Sequence, residues 1–407
     1  MTLLIKNAQL RESKKQLDIF IIDGKYAKIE EKINSGADEV IDVHGNLVTP
    51  TFVDPHLHID KAYTALEGRS SEEGTLEESI KIMHDFKRNY TPEEVSARAV
   101  RAIRDSVKFG VTKIRANVDI DTICGLTALE GCLLAKEDTK EIADVQLVAF
   151  PQEGIFRDTG TEKLMYEAMD MGADIVGGMP AAEWIAEKAK EHVDLVFKIA
   201  QKYNADIDMH MDQTKDPFAQ ALEYTAFRSI ELGYQGRVTG GHCTSLAYQN
   251  NVHAGKIIEL LKLADFNVCV NPQVLAIMGI DSEPRTRGIT RVRELIEAGV
   301  NTATSQDTIC DGFHIYGTGD PLDYGLLMAY QAQYNSSAEA KIVYNMITHN
   351  AAKVMNLKNY GITAGFPADF NIVYADTESE AFRKRASRMV YKSGKLVARY
   401  SNEGELV

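Results

Sequence analysis

Between residues 51 and 355, short apolar runs rich in Val and Ile alternate with longer stretches whose apolar residues recur at helical spacing. The stretch "TPEEVSARAVRAIRDSVKFG" is typical, with Thr91 placed to cap a helix that Pro92 begins. Strands are expected at Thr112–Val118, Asp144–Phe150, Asp174–Met179, Asp206–His210, Arg237–His242, Asn267–Val270 and Asn301–Thr304. The run leading into His56 makes eight, each followed by room for a helix, which predicts an α/β chain with a (β/α)8 TIM-like barrel over 51–355. Residues 1–50 and 356–407 read differently, as short β-branched runs broken by turns such as Asp23-Gly24. They predict a small β-sandwich domain built from both chain ends.

Composition changes this picture little. The chain has 407 residues, 44% of them hydrophobic, enough for a large core. A net charge of −14 argues against a nucleic-acid partner or an anionic membrane surface, both of which need clustered Lys and Arg. No run approaches the ~20 apolar residues of a membrane helix, and charges follow too soon in "MTLLIKNAQLRESKK" for a signal peptide. The five cysteines show no CxxC spacing and read as thiols in a reducing compartment. A cytoplasmic location is expected, and a homo-oligomer is left open.

The candidate chemistry lies at the carboxyl ends of the expected strands, which converge on one face of a barrel. His56, His58, Gln152, His210, His242 and Asp307 all fall there. In a strand, residues two apart point to the same side, so His56 and His58 would face the barrel mouth together. With His210 and Asp307 they would make an N₃O set suited to one divalent ion, Zn²⁺ or Fe²⁺, with positions left for water. Taken singly, His210 also reads as a hydrogen-bonded core histidine and Asp307 as a helix cap. His44, His84, His192, His253 and His349 fall in turns or helical patterns, and His314 lies in the loop "CDGFHIYGTGDP" on the same face.

The stretch "LVTPTFVDPHLHID" and the ending "THNAAKVMNL…YGITAGFPADFNIVYAD" resemble the amidohydrolase superfamily. "VAFPQEGIF" (148–156), "MGADIVGGMP" (171–180), "RVTGGHCTS" (237–245) and "RGITRVRELIEAGVN" (287–301) are similar to its branch of cytosine deaminases and N-isopropylammelide isopropylaminohydrolases. That resemblance implies one metal held by His56, His58, His210 and Asp307. It implies that His242 orients the attacking water, that Gln152 meets a ring carbonyl, and that Asp307 also takes the water's proton. A bound metal lowers the pKa of water, giving a hydroxide nucleophile that would attack the ring and expel ammonia or an amine.

Two positions depart from the branch. Its cytosine deaminases open an H-x-D-E motif with the third His, whereas this chain has "HMDQ", with Gln213 where a proton-carrying Glu would stand. A carboxamide hydrogen-bonds a ring but does not donate and recover a proton at neutral pH. A second carboxylate is also replaced, by Thr308. Conversely, "HIDK" resembles the isopropylammelide enzymes and places Lys61 near a carbonyl-rich ring, although a surface or ion-paired lysine fits it too. Asp212 and Thr308 are further candidate substrate contacts, and Trp184 a candidate stacking wall or packing residue. The expected function is metal-dependent hydrolysis of a C–N bond in a pyrimidine- or triazine-like heterocycle. The alternatives are ring opening of a cyclic amide, of hydantoin or dihydroorotate type, and a non-catalytic binding protein on the same scaffold.

Overall fold

The computed structural model describes residues 1–67, 71–72, 75–273 and 289–404. Arg287 and Gly288 of the motif at 287–301, and the last three residues of the C-terminal segment, lie outside the described residues. The N-terminal segment forms β1 (Thr2–Gln9), β2 (Gln16–Ile22), β3 (Lys25–Glu30), β4 (Glu39–Asp42) and β5 (Leu47–Pro50). The hairpin between β2 and β3 turns at Asp23 and Gly24, both at positive φ, as such a two-residue turn requires.

The barrel strands follow in order: β6 (Phe52–His58), β7 (Val111–Asp119), β8 (Asp144–Phe150), β9 (Ile175–Gly178), β10 (Asp206–Met211), β11 (Val238–His242), β12 (Asn267–Val270) and β13 (Asn301–Thr304). A short β14 (Asp307–Thr308) comes two residues later. The sheet order is β13-β12-β11-β10-β9-β8-β7-β6-β14, with the paired strands parallel. Residues 301–304 therefore pair with β12 while 307–308 pair with β6, so one chain segment joins both edges of the sheet. This is a TIM-barrel-like fold, and its strands are those read from the apolar runs. β6, β9, β11 and β12 are buried at every residue, as strands covered on both faces must be.

Helices flank the strands. Pro92–Lys108 starts where expected, with the Thr91 hydroxyl accepting from the Glu94 amide at 3.3 Å. Its buried stripe of Val95, Ala99, Ala102, Ile103 and Val107 repeats at three and four residues. Thr127–Thr139 packs against it through Gly131, where an added Cβ would lie 2.6 Å from both the Pro92 carbonyl and Val95.

After Asn350 the chain leaves the barrel and adds β15 (Phe370–Val373), β16 (Arg388–Lys392) and β17 (Lys395–Tyr400). β15 pairs antiparallel with β5, placing Ile372 opposite Val48. The two chain ends thus meet, as expected, but in one mixed sheet of order β17-β16-β15-β5-β1-β2-β3, with β4 beside β1. The strand pairing is that of one continuous eight-stranded sheet. Within it β5 touches β1 at Leu47 and β15 along its whole length, tying the two chain ends edge to edge. Among the described residues no helix is long and apolar enough to cross a membrane.

Candidate active site

β6 delivers His56 and His58 to the same side, as alternation requires, and their Nε2 atoms each stand 3.2 Å from Nε2 of His210 on β10. Asp307 completes the set, with Oδ1 at 3.4 Å from His56 Nε2 and 3.5 Å from His58 Nε2. All four residues are buried, and their donor atoms lie within 4.8 Å of one another. An ion with bonds of ~2.0–2.1 Å and near-tetrahedral angles sets its donors about 3.3–3.4 Å apart, which is the spacing found. Hydrogen bonding does not account for it, because one imidazole nitrogen carries a single proton or a single lone pair. His210 Nε2 therefore has too little capacity for its two imidazole neighbours, and His56 Nε2 and His58 Nε2 too little for His210 and the Asp307 carboxylate together. The residues fit one divalent metal.

The surroundings hold these rings. Phe150, at the end of β8, stacks on His210 at 4.1 Å between centroids and an angle of 24°. Asp208, two residues before His210, accepts from Arg115 Nη1 at 2.9 Å and turns its other oxygen toward His56 Nδ1 at 3.9 Å. Burial, reinforced by the neighbouring His56, holds His210 well below the ordinary histidine pKa, and burial does the same for His58 with Lys61 adding to it. Both are thus in the neutral form that ligates. Gly241 on β11 is part of the same packing. A Cβ there would lie 2.7 Å from His56 Cε1 and 3.0 Å from Nδ1, so the ring occupies the space a side chain would need. Gly241→Ala is expected to displace His56 and weaken metal retention about 10- to 100-fold. Metal content after dialysis against a graded chelator series measures it, and wild-type retention would refute the packing role.

His242 ends β11 with φ of 66°, and Asp307 has φ of 69°. Left-handed backbone is uncommon for such residues and collects at functional sites. The His242 ring lies 4.8 Å from His210 and 5.2 Å from His56, with the Asn271 amide 3.3 Å from its nitrogens. Burial lowers its pKa to about 4, so it is neutral near pH 7.

A polar wall stands beside the ligands. Lys61 is buried, with Nζ 2.7 Å from Asp119 Oδ1 and 3.4 Å from Gln152 Oε1. Of the alternatives read for Lys61, the ion pair is therefore real, and so is the neighbourhood of Gln152. Asp119 also takes Lys87 Nζ at 3.1 Å, and Lys87 reaches Asp121 at 2.5 Å and Glu153 at 3.3 Å. His84, expected to be an ordinary helix residue, meets Glu153 at 2.8 Å at the outer end of this chain of charges. Thr308 is buried opposite His58, its hydroxyl without a hydrogen-bond partner among the described residues.

Asp212 and Trp184 are held by contacts of their own. Both carboxylate oxygens of Asp212 are taken by backbone amides, those of Ala221 at 3.3 Å and Leu222 at 3.0 Å, so it anchors the helix Ala221–Glu231 instead of facing a ligand. Trp184 is 74% exposed under the Arg157 guanidinium and lines a surface cleft with Phe218, apart from the metal ligands. That exposure excludes the buried packing role. Gln213 is half-buried just beyond β10.

The sequence reading missed Asp119, Lys87, Asp208 and Phe150. Asp208 had a signal, since it stands two residues before His210 on one strand and so shares its face. Asp119 likewise ends β7 on the active face.

Comparison with known proteins agrees with this site. The model of the amidohydrolase family matches residues 65–398. N-isopropylammelide isopropyl amidohydrolase of Pseudomonas sp. (strain ADP) is 32% identical over 405 residues, covering 98% of this chain and 97% of its own. The structure of 5-methylcytosine deaminase from Klebsiella pneumoniae with 5-fluorocytosine superposes with a TM-score of 0.94 at 32% identity, covering 100% and 99% of the two chains. That of N-isopropylammelide isopropylaminohydrolase from Burkholderia multivorans gives 0.88 at 26% identity, covering 98% of each. With its three imidazoles and one carboxylate at the mouth of a TIM-like barrel, this chain belongs to the amidohydrolase family.

Proposed function

We propose that the protein hydrolyses an exocyclic C–N bond of a pyrimidine- or triazine-like heterocycle and releases ammonia or an amine. The observation that carries this reading is the convergence of His56, His58, His210 and Asp307 at metal-ligand spacing. A divalent ion held by them, Zn²⁺ or Fe²⁺, supplies Lewis acidity and lowers the pKa of water. The protein's own groups do the rest. Asp307 takes the proton of the attacking water, and neutral His242 orients that water and stabilises the oxyanion beside it. Gln152 and Lys61 bind ring carbonyls, the ammonium held ready by Asp119. Thr308, with its free hydroxyl, and Gln213 border the substrate. The relatives named for isopropylammelide and 5-methylcytosine support the substrate class.

In this reading residues 51–355 form a complete (β/α)8 barrel that carries the chemistry, and 1–50 with 356–407 form a separate supporting domain. We place the protein in the cytoplasm and allow it to form a homo-oligomer.

The experiment is a release assay on metal-loaded protein across pyrimidines, purines, triazines and hydantoins, detecting ammonia and alkylamines separately. Amine release from a ring compound is expected. Ring opening without it would instead favour cyclic-amide hydrolysis, which the carboxamide at Gln213 accommodates because protons then move through Asp307 alone. Gln213→Glu is expected to raise turnover of cytosine-like rings about tenfold or more by restoring a proton carrier. No gain on any of them would mean that the substrate needs no proton from this position.

A further inference from the structure

One buried carboxyl near the ligands has no part in the reaction as described. Asp311 lies in the turn after β14 and is fully buried. Its Oδ1 accepts from the amides of Phe313 at 2.9 Å and His314 at 3.0 Å. Its Oδ2 is buried with no hydrogen-bond partner among the described residues. Buried carboxyl oxygens are nearly always paired, because leaving one unpaired forfeits its hydration for nothing. An unpaired one beside an active site marks a place where a ligand's polar group belongs.

The turn is fastened to the segment that carries Lys61. The Ile309 and Cys310 carbonyls accept from the amides of Tyr63 at 2.9 Å and Ala65 at 3.2 Å. Phe313 in the same turn faces Lys61 Nζ, 5.7 Å from the ring centroid. Thr308, three residues earlier, also keeps a buried hydroxyl without a partner among the described residues. Burial pushes the Asp311 carboxyl up to about 7, opposed first by Lys61, while the charge of Asp307 adds to the rise. The groups that act on it are those of the site.

We infer that Oδ2 of Asp311 is a substrate contact, meeting the edge of the heterocycle formed by a ring nitrogen and its exocyclic amine. A carboxyl suits that edge in either state: protonated it donates to the ring nitrogen, ionised it accepts from the amine. It supplies the carboxyl function that Thr308 and Gln213 do not. The inference rests on the C–N hydrolase reading above. The competing role is confined to Oδ1, which ties the turn.

Asp311→Ser separates the two roles. Its hydroxyl still accepts from the turn amides, as serine does in such turns, while the free oxygen is gone. Asp311→Asn keeps the volume as a second variant. Metal content, melting temperature, amine release from the best ring substrate and 5-fluorocytosine binding by ¹⁹F NMR are compared with wild type. The expected result is a loss of about 10- to 100-fold in kcat/KM and in 5-fluorocytosine affinity, at unchanged metal content. Undiminished turnover and binding per metal-loaded molecule would overturn the contact and leave the hydrolase reading standing. Loss of metal or early melting in both variants would also overturn it, since that is what a turn-only role produces. A wild-type protein that neither binds 5-fluorocytosine nor releases an amine from any ring would overturn both.

Discussion

Asp307→Asn is expected to lower kcat by about a thousandfold or more, with any residual activity insensitive to added metal. Two losses combine. The carboxylate is a metal ligand, and an amide oxygen without charge is a far weaker one. On the proposed reading it also takes the proton from the attacking water, a role worth typically ~10²–10⁴-fold. His242 does not substitute, because burial keeps it neutral only by making it a poor base, with a pKa of about 4. The His56, His242 and His58 rings overcome the effect of burial on Asp307 and hold it below the usual carboxylate range, so it stays ionised across the neutral region. Metal titration followed by steady-state kinetics separates the two losses. If Asp307→Asn binds metal as the wild type does and keeps activity within tenfold, Asp307 is neither ligand nor base.

The ligand set was legible because each member carries its own local evidence. His56 and His58 share a strand with the right parity, while His210 and His242 stand at or next to the ends of their strands and Asp307 three residues past β13. A parallel barrel then brings all strand ends to one place, whatever the long-range register. What could not be read depends on distances between elements that the chain does not encode locally. Lys61 and Lys87 lie on different elements, and only the fold sets Asp119 between them. Asp212 sits two residues past a ligand, which makes it look functional. Its φ of 44° turns it instead onto the next helix, where two amides claim it. The terminal sheet illustrates the same limit, since alternation identifies strands but not their order within the sheet.

The largest effect on stability is expected from Asp119→Asn. In the wild type the carboxylate neutralises two buried ammonium groups at once, at 2.7 Å and 3.1 Å. Lys87 retains Asp121 and Glu153 after the change, but Lys61 loses its ion-pair partner inside the protein. Breaking a buried pair by removing one member costs about 3–5 kcal/mol, because the remaining charge has been stripped of water. Asp119→Asn combined with Lys61→Met is therefore expected to recover most of that loss and, on the proposed reading in which Lys61 and Gln152 bind a ring carbonyl, to remain about 10- to 100-fold impaired in KM. The pH dependence follows with definite sign. Burial raises Asp119, but Lys61 and Lys87 outweigh it, so the folded carboxyl titrates below its unfolded value. Its contribution is present above about pH 4 and is lost as pH falls through the folded pKa. Burial lowers Lys61, but Asp119 and Asp60 outweigh it, so its contribution is present below about pH 10 and is lost as pH rises through its own raised value. In Asp119→Asn, burial of Lys61 is opposed chiefly by Asp60, and the sign reverses. That variant should gain stability as pH rises from 7 toward 10, because the folded state then binds fewer protons at Lys61 than the unfolded one. Urea denaturation of the metal-loaded proteins at several pH values measures both effects. A single variant within ~1 kcal/mol of wild type, or a double variant no more stable than the single, would show that Asp119 does not hold Lys61 in its charged state.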